Sequence, residues 1–152
     1  MWIPGAIPIV VGSLMALLVV DGSPRTSSPQ LRHVTIEATD YAFRAPATLA
    51  PGLTAFRFVN HGTVPHEVQL FRFAPGVKKE SAQAYLLAGD VPDSAADPSG
   101  SVLIAYAGVT AREETLVSLE RGERYALICG FRDAPGKPKH ATLGMVALLE
   151  VH

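Results

Sequence analysis

From residue 33 to the end, the sequence is a succession of short runs in which apolar and polar side chains alternate, each closed by a turn signal. Alternation with a period of two loads opposite faces of an extended strand with opposite chemistry, a pattern that an α-helix does not use. Val34–Ala38, Tyr41–Phe43, Thr54–Val59, His66–Phe73, Ser101–Tyr106, Glu114–Leu119, Arg124–Cys129 and Gly144–Val151 read as strands. Ala50-Pro51-Gly52, Asn60-His61-Gly62, the polar stretch 89–100 and the Pro- and Gly-punctuated loop 131–140 separate them. In His66–Phe73, Val68 and Leu70 fall on one face and Phe71 and Phe73 on the other, as in a central strand or one bent by a bulge. Val77–Ala88, rich in Ala and closed by Gly89, is the one helical candidate. Many short strands with a single helix predict an all-β sandwich.

The start of the chain is of a different kind. Ile3 to Val20 carries no charged side chain, and Pro4 and Pro8 shorten its continuous apolar part to Ile9–Val20. That length suits the apolar core of a secretion signal, while the whole block approaches a membrane span. No Lys or Arg precedes it and no clear A-x-A site follows. A signal peptide, an uncleaved anchor through residues 3–20 and a buried structural segment therefore all stay open. The first two place the rest of the chain in the periplasm, or at least outside the cytoplasmic membrane. The expected organisation is 1–22 signal or anchor, 23–32 a Ser- and Pro-rich linker, and 33–152 one domain of roughly 120 residues, enough for a real core.

Charge excludes one class of partner. Thirteen basic residues against 14 acidic give a net charge of −1, with no basic stripe and no arginine–aromatic clusters. Nucleic acid is not an expected partner.

The chain has a single cysteine, Cys129, inside the apolar run Tyr125-Ala126-Leu127-Ile128-Cys129. Exported proteins commonly keep cysteines in disulfide pairs, so a lone one is either buried or put to chemical use. It stands in a series of four donors: His66, then Cys129, His140 and Met145, the last three spaced Cys-x10-His-x4-Met. A thiolate and two imidazoles in a plane, with a weak axial thioether, serve a copper ion that cycles between +1 and +2. The single cysteine excludes a two-copper centre with two bridging thiolates in the isolated chain. Taken singly, each donor has a plainer reading: a surface histidine, a small buried hydrophobe, a core methionine.

In order and position these residues resemble the type 1, or blue-copper, site of the cupredoxin family. The carrying segments are VPHEVQLF around His66, YALICGF around Cys129, and KHATLGMVALLEV around His140 and Met145. The likeness covers about residues 33–152, and comes nearest to small exported bacterial plastocyanin- and azurin-like proteins. It implies a Greek-key β-sandwich and one type 1 copper ion held by His66, Cys129, His140 and Met145. The loop of ten residues between Cys129 and His140 is longer than in plastocyanin- and azurin-like members. Longer loops occur in the wider family, as in the blue site of copper nitrite reductases.

The resulting expectation is a one-electron carrier, not an enzyme, that docks a redox partner protein. Its docking face would be an exposed patch formed by His140, Pro135, Gly136, Pro138 and Ala141. Copper storage or delivery uses the same ligands, and a metal-free binding module would leave Cys129 in the core. A Cys129/His140 hydrolase lacks a recognisable oxyanion motif. His61 competes with His66 for the first ligand position, and Pro65 favours His66 by directing an extended entry. His33 and His152 read as solvated. Asp133 and Lys137 read as loop or solubility residues, and Glu67 as pointing away from the site. Asn60 is expected to tie the first-ligand loop to the cysteine loop.

Overall fold

The computed structural model describes residues 30–97 and 100–152. Among them are nine strands: β1 Arg32–Thr39, β2 Ala42–Arg44, β3 Thr48–Leu49, β4 Gly52–Asn60, β5 His66–Arg72, β6 Ser101–Ala105, β7 Thr115–Leu119, β8 Arg124–Ile128 and β9 Val146–Val151. One helix, α1 (Lys79–Ala88), follows β5. The expected signal or anchor and most of the linker lie outside the described residues. β1 begins at Arg32, the last residue of that expected linker. No helix of the described residues is long and apolar enough to cross a membrane.

The strands form two sheets, one ordered β2-β1-β4-β7 and the other β3-β9-β8-β5-β6. Two contacts are parallel, β1 with β4 and β3 with β9, and the remaining pairs are antiparallel. Alternation does what it predicts. Val34, Ile36 and Ala38 of β1 and Phe56 and Phe58 of β4 face inward, meeting Val68, Leu70, Leu127 and Leu149 of the other sheet. Burying Phe56 and Phe58 completely removes two large apolar side chains from water, each worth about 1.5–3 kcal/mol.

β5 is an internal strand, between β8 and β6, with no need of a bulge. Its Val68 and Leu70 join the core between the sheets, while Phe71 and the following Phe73 pack on the outer face against α1. The helix starts two residues later than Val77 because Lys78 is extended, with ψ 154°. Ala82 and Leu86, four apart, form its buried stripe over Ala126, Ile128 and Ala141. Gly89 ends the helix at φ 65°, donating its N–H to Leu86 O. A Cβ on Gly89 would lie 2.9 Å from the Thr142 backbone nitrogen, so helix and ligand-loop backbone approach closely here. The loop after β8 returns through a 3-10 turn at His140–Leu143, which the alternation pattern did not reveal.

Candidate metal centre

His66 opens β5, and Cys129 directly follows β8, the strand paired antiparallel to it. The loop then brings His140 back over the same end of the sheet. Backbone bonds fix the return: His140 N–H donates to Phe131 O at 2.8 Å, and Ala141 N–H to Cys129 O at 2.9 Å. Met145 closes the arrangement, its N–H donating to His140 O at 3.0 Å while its own carbonyl accepts from Cys129 N–H at 3.2 Å.

Three donor atoms converge. His66 Nδ1 and His140 Nδ1 stand 3.1 Å apart, and Cys129 Sγ lies 3.9 Å from the first and 3.5 Å from the second. First-row metal ions hold imidazole nitrogen at about 2.0 Å and thiolate sulfur at about 2.3 Å. Donors sharing one ion therefore lie roughly 3–4 Å from one another, and this triangle has that size. His66, Cys129 and His140 are all buried, and Met145 is wholly buried in the same core cluster as Cys129. Two imidazoles, a thiol and a neighbouring thioether make a donor set that fits one type 1 copper ion.

The second nitrogen of each imidazole faces a carboxylate. His140 Nε2 lies 2.9 Å from Asp133 Oδ1, and the other oxygen of Asp133 accepts from the Tyr41 hydroxyl at 2.7 Å. His66 Nε2 lies 3.5 Å from Asp40 Oδ1, without a hydrogen bond of normal geometry. Asp40 is itself held by the N–H and hydroxyl of Thr63, each at 2.8 Å. These bonds hold Asp40 below the usual carboxylate range, and those from Tyr41 and His140 do the same for Asp133. Burial lowers the pKa of His66 and raises that of the Cys129 thiol. Both shifts favour the neutral groups of a dry site. A metal ion is what would stabilise a thiolate there.

Several expectations need correction. His140 is 1% exposed and Ala141 is buried, so neither belongs to an exposed patch, although Pro135, Gly136 and Pro138 are exposed. Tyr41 covers His140, the ring centroids being 5.1 Å apart and the rings nearly perpendicular. Asp133 is a partner of His140 and not merely a loop residue. Asn60 does not reach the cysteine loop: its amide donates to Val64 O and Ala105 O, and its oxygen accepts from Gly62 N–H. That ties the His66 approach to β6. Glu67 does point away from the donors, yet it accepts the N–H of Gly130, next to Cys129, at 2.9 Å. His61 lies outside the triangle, exposed and 3.8 Å from Glu37. Asp40 and Tyr41 were missed altogether. Asp40 falls in the polar break between two alternating runs, and Tyr41 reads as the start of a strand, whereas β2 begins at Ala42 and Tyr41 belongs to the turn.

No family model matches the sequence, and no curated protein matches it. Solved structures do. Auracyanin B superimposes with a TM-score of 0.50 at 23% identity, over 83% of this chain and 91% of that one. The chain has the cupredoxin fold. Dithionite-reduced auracyanin from Roseiflexus castenholzii gives 0.50 at 16% identity, over 79% and 96% of the two chains. Reduced rusticyanin gives 0.51 at 16%, over 82% and 79%. Within the cupredoxin fold, the donor triangle of this chain sits where β5, the end of β8 and the loop before β9 meet.

Proposed function

We propose that the protein is an exported one-electron carrier holding a single type 1 copper ion through His66, Cys129, His140 and Met145. The observation that carries this reading is the buried triangle of His66 Nδ1, His140 Nδ1 and Cys129 Sγ, with edges of 3.1, 3.5 and 3.9 Å. Copper supplies the electron exchange when bound. His66, Cys129, His140 and Met145 would hold the ion, and the rigid sandwich that carries them would limit rearrangement as it changes oxidation state. Two of the similar structures are of reduced auracyanin and reduced rusticyanin, proteins studied in a defined redox state. Export is supported by the apolar run from Ile3 to Val20.

Complete burial of the donors favours retention over exchange, which sets electron transfer ahead of copper delivery. It also removes Cys129 as a nucleophile, since substrate cannot reach it and burial keeps the thiol protonated. No substrate step is assigned to the chain. The electron is exchanged with a redox partner protein.

The test is to add one equivalent of Cu(II) to the full chain and record visible and electron paramagnetic resonance spectra. An intense thiolate-to-copper band, lost in Cys129→Ser, supports the reading. A folded, colourless protein that ignores copper would instead make it a metal-free module with Cys129 as core.

A further inference from the structure

Two consecutive residues, Asp40 and Tyr41, form the turn between β1 and β2 and overlook both histidines of the centre. Asp40 stands behind His66, and the Tyr41 ring lies edge-on to His66 and His140, at centroid distances of 6.4 and 5.1 Å. The Tyr41 hydroxyl donates to one oxygen of Asp133, whose other oxygen meets His140 Nε2. Tyr41 does this from a left-handed backbone, φ 63°, and is the one non-glycine residue of the described chain with positive φ. A bulky side chain in that region is costly, and such strain persists only where surrounding contacts enforce it. Here the two-residue hairpin between Thr39 and Ala42 calls for that backbone, and a tyrosine rather than a glycine occupies it.

The chemistry of the chain Tyr41–Asp133–His140 has one consistent polarity. An ionised carboxylate only accepts, so the His140 atom facing it at 2.9 Å must be an N–H. The neutral imidazole then keeps its lone pair on Nδ1, the atom in the donor triangle. We infer that Asp133, clamped by Tyr41, is a positioning residue that presets His140 as the Nε2–H tautomer and places a negative charge behind the centre. Resting on the copper reading above, this charge favours the oxidised over the reduced ion. It makes the imidazole a stronger donor, as carboxylates behind metal-bound histidines do.

Two substitutions separate the two halves of the proposal. Asp133→Asn keeps an oxygen acceptor of the same shape and removes the charge. Asp133→Ala removes both. The first measurement needs no metal: nitrogen-15 NMR of the imidazoles in the full chain at neutral pH. The expected result is an Nε2–H tautomer for His140 in the parent and in Asp133→Asn, and a mixture in Asp133→Ala. The same His140 spectrum in Asp133→Ala, with the fold intact by circular dichroism, overturns the tautomer role.

The second measurement is the reduction potential of the copper-loaded protein. Asp133 is partly exposed, so solvent screens it. The expected shift in Asp133→Asn is about threefold to tenfold in favour of the reduced ion, the upper figure equalling about 59 mV for one electron. Tyr41→Phe, which loses the hydroxyl and keeps the ring, should move in the same direction by less. An unchanged potential in Asp133→Asn overturns the charge role. If the parent binds no copper, the copper reading fails, and the NMR result still decides whether the clamp sets His140.

Discussion

Glu67 and Gly130 are joined across two neighbouring strands: the Glu67 carboxylate accepts the Gly130 N–H at 2.9 Å, one residue beyond Cys129. Gln69 donates to the same oxygen at 2.7 Å and steadies it. The brace lies on the face of β5 opposite His66, so the strand positions one ligand with one face and the backbone beside another with the other. Glu67→Ala strands a half-buried N–H, and unmaking such a bond costs about 1 kcal/mol, the lower end of the range for a buried group. Urea unfolding of Glu67→Ala and Glu67→Gln should show the larger loss for Ala. Equal midpoints for both variants and the parent would mean that the brace contributes nothing.

Gly62 is constrained by space. A Cβ there would lie 2.4 Å from Asp40 Oδ1 and 3.0 Å from His66 Nε2. Gly62→Ala should push Asp40 away from His66 and leave the sheets in place. Losing a partner behind a metal-bound histidine weakens metal binding by about 10–100-fold. Competition with a chelator measures this, and undiminished affinity would show that the turn yields freely.

Asn60 is wholly buried and makes three hydrogen bonds, to Val64, Ala105 and Gly62. Asn60→Ala leaves these backbone groups without their partner, at a cost of about 1–3 kcal/mol. Amide hydrogen exchange should rise at Gly62 first, because its N–H loses the Asn60 oxygen directly. Faster exchange spread evenly over both sheets would indicate general destabilisation instead.

The ligand assignment separates cleanly by colour. Cys129→Ser and His66→Ala should each abolish the intense visible band of the Cu(II) protein, and His61→Ala should leave it intact. Met145→Leu should keep copper and change its reduction potential. Loss of colour in His61→Ala, with none in His66→Ala, would reverse the choice of first ligand.

Acid stability should depend on Glu150, which accepts from Lys79 at 2.5 Å and from Arg124 at 3.1 Å. These partners, Lys79 first, hold its pKa below the ordinary 4.5. The unfolded chain therefore takes up the proton at higher pH than the folded one. The stabilisation is present above about 4.5 and disappears as pH falls through the lower folded value. Lys79→Ala should lose less stability than the parent between neutral pH and pH 4, measured by denaturant midpoints. An identical pH slope would show that solvent screens the pair.

Strands were legible because one face of nearly every run is apolar, except the two-residue β3, which is too short to show alternation. The helix was legible except at its start, where only the extended backbone of Lys78 decides the boundary. The donors could be read from residue type and order, since few other residues compete for a soft, redox-active ion. Their surroundings could not. Asp40, Tyr41 and Asp133 act through contacts spanning 26, 92 and 7 residues of chain. Nothing local marks an aspartate that faces an imidazole from one that faces water. Asn60 shows the same limit: burial and turn chemistry point to a tie, but only the register of β5 with β6 shows that the tie reaches Ala105.

The donor triangle also makes the ion a latch on the closed sandwich. His66 and Cys129 come together only when β5 lies beside β8, and His140 joins them only when the loop has folded back. A chain with those strands apart offers scattered single donors and no pocket. Whatever free energy the ion gains by binding is then withheld from the unfolded ensemble, about 2.7 kcal/mol when free metal stands at a hundred times its dissociation constant. Copper occupancy thereby becomes a gauge of how often the two strands part.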